Sequence, residues 1–144
     1  MKSLSKSKVH EIDNFKIEKM SKPNKSFSIG DRILSFGFAL QGLITFFKTQ
    51  HNAWIHLLAS VVVITMGFVL NVDRAEWCLL IIAIGFVFVA EMINTAIEFL
   101  TDLVSPQFHP TAKKVKDVAA GAVLIAALSA VAIGLIVFLP KIFF

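Results

Sequence analysis

The fold is decided by the stretch WCLLIIAIGFVFVAEMINTAIEFLTD, residues 77–102, in which a long apolar run continues into acidic residues. Trp77–Val89 carries no charge, and a Trp at the start of such a run commonly anchors a helix at the membrane interface. Glu91, Glu98 and Asp102 then follow at short intervals. A carboxylate in or near hydrocarbon is costly, so it is usually paired, solvated or functional. The stretch therefore predicts a membrane helix that ends in an acidic site.

The composition of the whole chain also indicates a membrane protein. Of its 144 residues, 56% are hydrophobic and 17% charged, and the mean hydropathy is +0.76. A soluble domain of this length lacks the interior to bury so much apolar surface. Cys78 is the single cysteine, which excludes a disulfide framework and a cysteine-based metal site.

The apolar runs predict an all-α integral membrane protein with three transmembrane helices, at about residues 53–70, 77–100 and 118–139. Residues 30–50 have apolar side chains at helical spacing, interrupted by polar ones. This pattern predicts an N-terminal amphipathic helix along the membrane interface, with a tilted or broken fourth span as the alternative. Residues 1–29 hold seven lysines and predict a basic, mobile tail before a single membrane domain at 30–144.

The distribution of lysines predicts the orientation. The tail and the loop that carries Lys113, Lys114 and Lys116 fall on one side of a three-span topology, and the polar turn at residues 71–76 falls on the other. Because positive charge is enriched in cytoplasmic segments, we expect a multi-pass protein with a cytoplasmic N-terminus.

A polar edge follows the second predicted span. If the helix continues past Ala90, then Glu91, Asn94, Glu98 and Asp102 lie within about 80° of one another around its axis. For Asp102 a solvated helix end is an adequate explanation, but Glu91 lies only about 21 Å of helix from Trp77. Oxygen ligands of this kind suit Mg²⁺, and they could equally form a proton relay. Other polar residues expected at this side of the membrane are Gln50, Asn52, His56, Lys116 and Asp117.

The chain contains no soluble nucleotide-binding motif of the P-loop or GxGxxG type. Residue types and spacing alone therefore predict a helical membrane protein with an acidic site, and they do not identify its reaction.

The segment AEMINTAIEFLTDLVSPQFHPTAKKVKDVAAGAVLI, residues 90–125, resembles the signature of the small bacterial membrane lipid kinases, the diacylglycerol kinase and undecaprenol kinase family. The family pattern reads E-x-x-N-[ST]-A-I-E, then V-D, a loop with a histidine, and A-K-D before a small-residue helix. Weaker similarity extends back to about Arg32. The matching residues are Glu91, Asn94, Thr95, Ala96, Ile97, Glu98, Asp102, His109, Lys116, Asp117 and Ala122–Leu124.

The resemblance implies a homotrimer of three-span subunits in the bacterial cytoplasmic (inner) membrane, with active sites shared between neighbours. It implies transfer of the γ-phosphate of ATP to a membrane lipid alcohol, with Mg²⁺ as cofactor and no nucleic-acid partner. The run after His109 is more similar to the undecaprenol kinase branch, which favours a long isoprenoid alcohol over diacylglycerol.

The resemblance also implies roles for particular residues. Glu91 corresponds to the general base, Asn94 supports the catalytic site, and Glu98 is a ligand of the Mg²⁺ that accompanies the nucleotide. Gln50 stands where the family usually has a second metal-binding Glu; an amide oxygen can coordinate Mg²⁺ but brings no charge. The residues expected to contact the nucleotide are Arg32, Gln107, His109, Lys116 and Asp117.

Two alternatives remain at the level of the sequence. Gln50 leaves open a non-catalytic or degenerate kinase homologue that binds lipid or nucleotide without turnover. The acidic edge also leaves open a small oligomeric protein that conducts ions or protons, although such a path has no need of Lys116 and Asp117 beside His109.

Overall fold

The computed structural model of the chain describes residues 28–143, and these form four α-helices. The helices are α1 (Ile29–Thr49), α2 (His51–Val69), α3 (Arg74–Val104) and α4 (Pro110–Phe143). Of these, α2, α3 and α4 are long and apolar enough to cross a membrane, which confirms the predicted class of helical membrane protein. The predicted basic tail at 1–29 lies outside the described residues except for its last two.

The helices α3 and α4 are longer than a membrane is thick. They contain 31 and 34 residues, so they extend about 46 and 51 Å, against a hydrocarbon layer of about 30 Å. Their ends therefore carry polar side chains beyond the apolar runs. Spans predicted from hydropathy alone are shorter than these helices because hydropathy detects only their apolar part.

A tight turn joins α2 to α3. Asn71 has a positive φ of 49°, a left-handed conformation that Asn adopts more readily than most residues. The N–H of Val72 then donates to the carbonyl of Gly67 at 3.1 Å, which closes the end of α2.

The start of α3 is fixed by a capping box. The carboxylate of Asp73 accepts from the N–H groups of Ala75 and Glu76, and the Glu76 carboxylate accepts from the Asp73 N–H at 2.7 Å. Arg74–Glu76 is consequently the first turn of α3. The predicted turn at 71–76 is shorter than expected because Asp73 starts the helix.

The apolar core of the described residues lies at this α2–α3 hairpin end. Val72, Leu80, Val137 and Phe138 form a buried cluster. The Lys141 ammonium, near the end of α4, lies 3.0 Å from the Glu76 carboxylate. The hairpin end of the bundle is thus closed by apolar packing and an ion pair, and the polar residues of interest lie at the other end of α3.

The connection between α3 and α4 is a short ordered loop at residues 105–109. The Ser105 hydroxyl donates to the Gln107 carbonyl at 3.1 Å. The Nδ1 atom of His109 accepts from the Thr111 N–H at 3.2 Å, so this histidine caps α4, and Pro110 occupies the first helical position. The loop falls between the second and third predicted spans, at about 77–100 and 118–139.

Two units can be distinguished in the chain, one ending at Leu40 and the other beginning at Gln41. In the first, the N-terminal part of α1 exposes its large apolar side chains, such as Phe36 and Phe38. In the second, Phe46 is buried, and the Trp54 indole donates to the Phe47 carbonyl at 3.0 Å. The bounds of α1 agree with those of the predicted helix at 30–50.

Candidate active site

A continuous α3 places the acidic residues on one edge, as the spacing predicts. The helix runs past Ala90 without interruption to Val104. Glu91 and Asn94 are buried, at 2% and 8% exposure, and Glu98 is half-buried. Asp102 is exposed, in agreement with a helix end that has left the apolar layer.

Two amide groups hold the carboxylate of Glu98. Gln50 Nε2 donates to Glu98 Oε2 at 3.2 Å, and Asn94 Nδ2 donates to Glu98 Oε1 at 3.1 Å. Gln50 can reach this position because it is the single non-helical residue between α1 and α2, with an extended backbone and no capping hydrogen bond from its side chain. The structure therefore brings together both residues that the resemblance assigns to a metal.

Glu91 has a partner that the sequence did not reveal. His56 Nε2 lies 3.2 Å from Glu91 Oε1, and the side chains are 20% and 3% exposed. The pair joins α2 to α3 across 35 positions of sequence. The sequence indicated only that His56 and Glu91 lie at the same side of the membrane, which does not identify a contact between them.

The polar residues around Glu91 and Glu98 include one buried atom without a hydrogen-bond partner. This group, the acidic cluster, comprises Gln50, His56, Glu91, Asn94 and Glu98. The Oδ1 atom of Asn94 makes no hydrogen bond, although its own amide nitrogen binds Glu98. An orphaned buried oxygen next to a carboxylate is a suitable ligand for a hard cation. Within residues 28–143, no three or more His, Cys, Asp or Glu side chains are grouped so that they could hold a metal ion. The oxygens that fit Mg²⁺ are therefore one carboxylate and two amides.

A second site lies at the α3–α4 loop. A pocket of about 410 Å³, the loop pocket, falls within the size range of small-molecule sites. Four of the five residues expected to contact the nucleotide line it: Gln107, His109, Lys116 and Asp117. The fifth, Arg32, lies on α1 in the first unit.

Ion pairs hold the lysines of the loop pocket. The Lys116 ammonium lies 2.5 Å from the carboxylate of Asp102, and the Lys113 ammonium lies 2.5 Å from that of Asp117. These side chains are from one third to nearly two thirds exposed, so the pairs are weak in solution and can exchange partners.

An apolar cleft of about 480 Å³ runs between α2, α3 and α4. Its lining is aliphatic and aromatic, and His56 and Ser60 are the polar side chains among the lining residues. The histidine that contacts Glu91 therefore also faces a space of the kind that takes a hydrocarbon chain.

Residues 37–138, which are 102 of the 144 in the chain, match the family described as prokaryotic diacylglycerol kinase. An undecaprenol kinase of Bacillus subtilis is 40% identical over 107 residues, covering 74% of this chain and 87% of the relative. A diacylglycerol kinase of Synechocystis is 39% identical over 109 residues, covering 75% of this chain and 62% of the relative. A diacylglycerol kinase of Pseudomonas aeruginosa is 33% identical over 90 residues, covering 62% and 73%.

The match extends from α1 through most of α4 and includes both the acidic cluster and the loop pocket. The chain therefore belongs to the prokaryotic diacylglycerol kinase family, and it is a lipid kinase with membrane-spanning helices.

Proposed function

We propose that the chain transfers the γ-phosphate of ATP to the hydroxyl of a lipid alcohol at the cytoplasmic face of the bacterial inner membrane. The observation that carries this proposal is the presence of two sites, one along α3 and one at its C-terminal end. One is a buried acidic cluster at the edge of the apolar layer, and the other is a loop pocket with two lysines beyond it. A reaction between a membrane alcohol and a soluble nucleotide needs one site within reach of the lipid and one within reach of the nucleotide, and these two sites fit those roles.

Glu91 is the general base of the proposed reaction. A neutral alcohol is a weak nucleophile, and a base that takes its proton typically contributes a factor of about 10² to 10⁴. As the lipid oxygen forms its bond to the γ-phosphorus, the bond from that phosphorus to the β–γ bridging oxygen breaks. ADP leaves with the bridging oxygen, and the hydroxyl proton goes to the Glu91 carboxylate.

Mg²⁺ is the proposed metal. Glu98, the orphaned Asn94 Oδ1 and, after its amide turns, Gln50 Oε1 would hold it together with phosphate oxygens. When bound, the ion neutralises charge on the transferring phosphate. Asn94 and Gln50 in turn keep the Glu98 carboxylate oriented.

The nucleotide binds at the loop pocket in this proposal. Lys116 contacts the phosphates after leaving Asp102, and Asp117, Gln107 and His109 contact the rest of the nucleotide, with Arg32 as a further contact. The N-terminus of α4 opens at this pocket, and its dipole favours an anionic ligand there.

Undecaprenol is the proposed lipid, in preference to diacylglycerol. Support comes from the run after His109, which is more similar to the undecaprenol kinase branch, and from the 40% identity to the Bacillus subtilis undecaprenol kinase over 107 residues. The apolar cleft beside His56 offers a hydrocarbon surface next to the base and suits a chain of isoprene units.

The assembly that we propose is a homotrimer with shared active sites, in which α1 lies along the membrane interface. The wide apolar exposure of all four helices supports both features, because such surface must be covered by lipid or by another subunit.

Phosphate transfer from labelled ATP tests the function. Undecaprenol and diacylglycerol are offered separately to the protein in vesicles, with Glu91→Gln as the control. We expect labelled undecaprenyl phosphate and a loss of at least about 100-fold in the variant. Folded protein that transfers phosphate to neither lipid over a wide Mg²⁺ range would favour a degenerate kinase, in which the Gln50–Glu98 hydrogen bond takes the place of a metal site.

A further inference from the structure

The carboxylate of Glu91 is held by a residue from another helix. Glu91 is 2% exposed, and His56 Nε2 lies 3.2 Å from its Oε1 atom. A carboxylate buried at the edge of hydrocarbon costs free energy unless a hydrogen-bond donor or a positive charge lies beside it. The imidazole of His56, on α2, donates to it in the tautomer that carries the proton on Nε2.

A base can accept a proton only while it is ionised and aimed at the hydroxyl. When the His56 N–H binds Oε1, the Oε2 atom remains available for the lipid hydroxyl. The same hydrogen bond restricts rotation of the carboxylate, so that the base stays near the reacting oxygen. The pair thus does more than join two helices.

We propose that His56 is a positioning residue for Glu91 in phosphate transfer, an inference that rests on the proposed role of Glu91 as the base. The side chain of His56 also lines the apolar cleft, so the donor that fixes the base borders the space proposed for the lipid chain. His56 binds neither nucleotide nor metal in this arrangement. It acts through Glu91.

Thr65 provides a control on the same helix, α2. It is exposed and is not among the residues that line the apolar cleft. Its hydroxyl donates to the backbone carbonyl of Val61 at 2.8 Å, inside its own helix. Thr65→Val therefore removes a hydroxyl from α2 without touching Glu91 or the cleft.

The test compares His56→Phe, His56→Ala, His56→Gln and Thr65→Val with the unaltered full chain in vesicles. The phenyl ring keeps the ring shape without a donor, and the glutamine amide keeps a donor without the ring. We expect kcat to fall about tenfold or more in His56→Phe and His56→Ala, while the KM for ATP changes less than about twofold. His56→Gln should recover most of the lost kcat, and Thr65→Val should match the unaltered chain.

The thermal midpoint in detergent shows whether each variant folds, and His56→Phe carries the test if His56→Ala does not. The inference is overturned if a folded His56→Phe protein retains kcat within about twofold, or if His56→Gln loses as much as His56→Phe. Activity retained in Glu91→Gln would instead refute the proposed base, and the inference with it. An inactive Glu91→Gln beside a fully active His56→Phe would refute the positioning role alone.

Discussion

At the scale of single residues, the carboxylate of Glu98 is the most densely bonded group of the site. It accepts hydrogen bonds from the amides of Gln50 and Asn94, and each of these amides also has an oxygen that could bind a cation. The three side chains carry one negative charge between them. A single negative charge attracts a divalent ion only weakly. A substitution at residue 50 can add a second charge.

Gln50→Glu should strengthen Mg²⁺ binding. The change puts a second carboxylate where an amide now donates to Glu98 at 3.2 Å. One added charge close to a divalent ion is worth at least about 1.4 kcal/mol at a partly buried site, so the apparent dissociation constant should fall about tenfold or more. The thermal midpoint in detergent, followed as Mg²⁺ is added, measures this without turnover.

Asn52→Asp is the control for that change. Asn52 is exposed and lies two residues away, so the variant adds the same charge beside the acidic cluster rather than within it. Its Mg²⁺ dependence should match that of the unaltered chain. If Gln50→Glu also leaves the Mg²⁺ dependence unchanged, residue 50 does not contact the metal.

Asn94→Leu should separate activity from stability. The substitution removes the orphaned Oδ1 atom, whose burial without a partner costs stability, and one of the two donors to Glu98. These effects oppose each other, so the thermal midpoint should stay within a few degrees. Phosphate transfer should nevertheless fall about tenfold or more, because a proposed metal ligand is lost.

Thr101→Val is the matched control for Asn94→Leu. The Thr101 hydroxyl donates to the Ile97 carbonyl inside α3 at 2.7 Å, so its removal touches neither the metal ligands nor the base. Full activity of Asn94→Leu would exclude Asn94 from the site. A large loss of stability would mean that its amide matters for folding rather than for chemistry.

The sequence predicted which residues share one edge of α3, but it did not predict the contacts between helices. The edge formed by Glu91, Asn94 and Glu98 follows from helical periodicity, which is local. The contact of His56 with Glu91 depends on how α2 packs against α3, and no spacing within one helix reveals it. The ion pair of Lys116 with Asp102 likewise depends on the path of a five-residue loop.

At the scale of elements, the α2–α3 hairpin depends on one close approach. A Cβ atom added to Gly67 would lie 2.7 and 2.9 Å from two ring carbons of Trp77, and the ring of Trp77 also packs against that of Phe68. Hydropathy located this hairpin within a few residues. It could not show that the glycine makes room for the tryptophan, because that requires the coordinates of both helices.

Gly67→Ala should destabilise the protein by about 1–3 kcal/mol, because the added methyl group forces the indole to move. The thermal midpoint in detergent should fall accordingly. Trp77→Phe in the same chain should recover part of the loss, since a smaller ring leaves room for the methyl group.

Gly42→Ala, on α1, serves as the comparison for the hairpin variant. Nothing lies within 4 Å of a Cβ added there, so helix propensity should dominate and the change should be neutral or stabilising by up to about 1 kcal/mol. Equal effects of the two glycine substitutions would contradict the proposed role of Gly67.

At the scale of the whole molecule, the two halves of the proposed reaction are far apart within one chain. Asp102, which holds Lys116, lies eleven residues beyond Glu91, or about 16 Å along α3. Phosphate transfer requires the hydroxyl and the phosphorus to approach within about 3.5 Å. A second copy could bring its loop pocket to the acidic cluster of the first, which is how a homotrimer with shared sites would complete the reaction.

Mixed subunits should reveal this sharing. Glu91→Gln and Lys116→Ala are each expected to be nearly inactive, but co-refolded in equal amounts they should recover about a quarter of the unaltered activity, because one site in each mixed ring combines an intact Glu91 with an intact Lys116 from its neighbour. Mixing Glu91→Gln with the double variant Glu91→Gln/Lys116→Ala should recover none, since no base remains. Activity equal to the mean of the separate variants would show that each chain holds a complete site, and the 16 Å along α3 would then have to be spanned by the bound nucleotide itself.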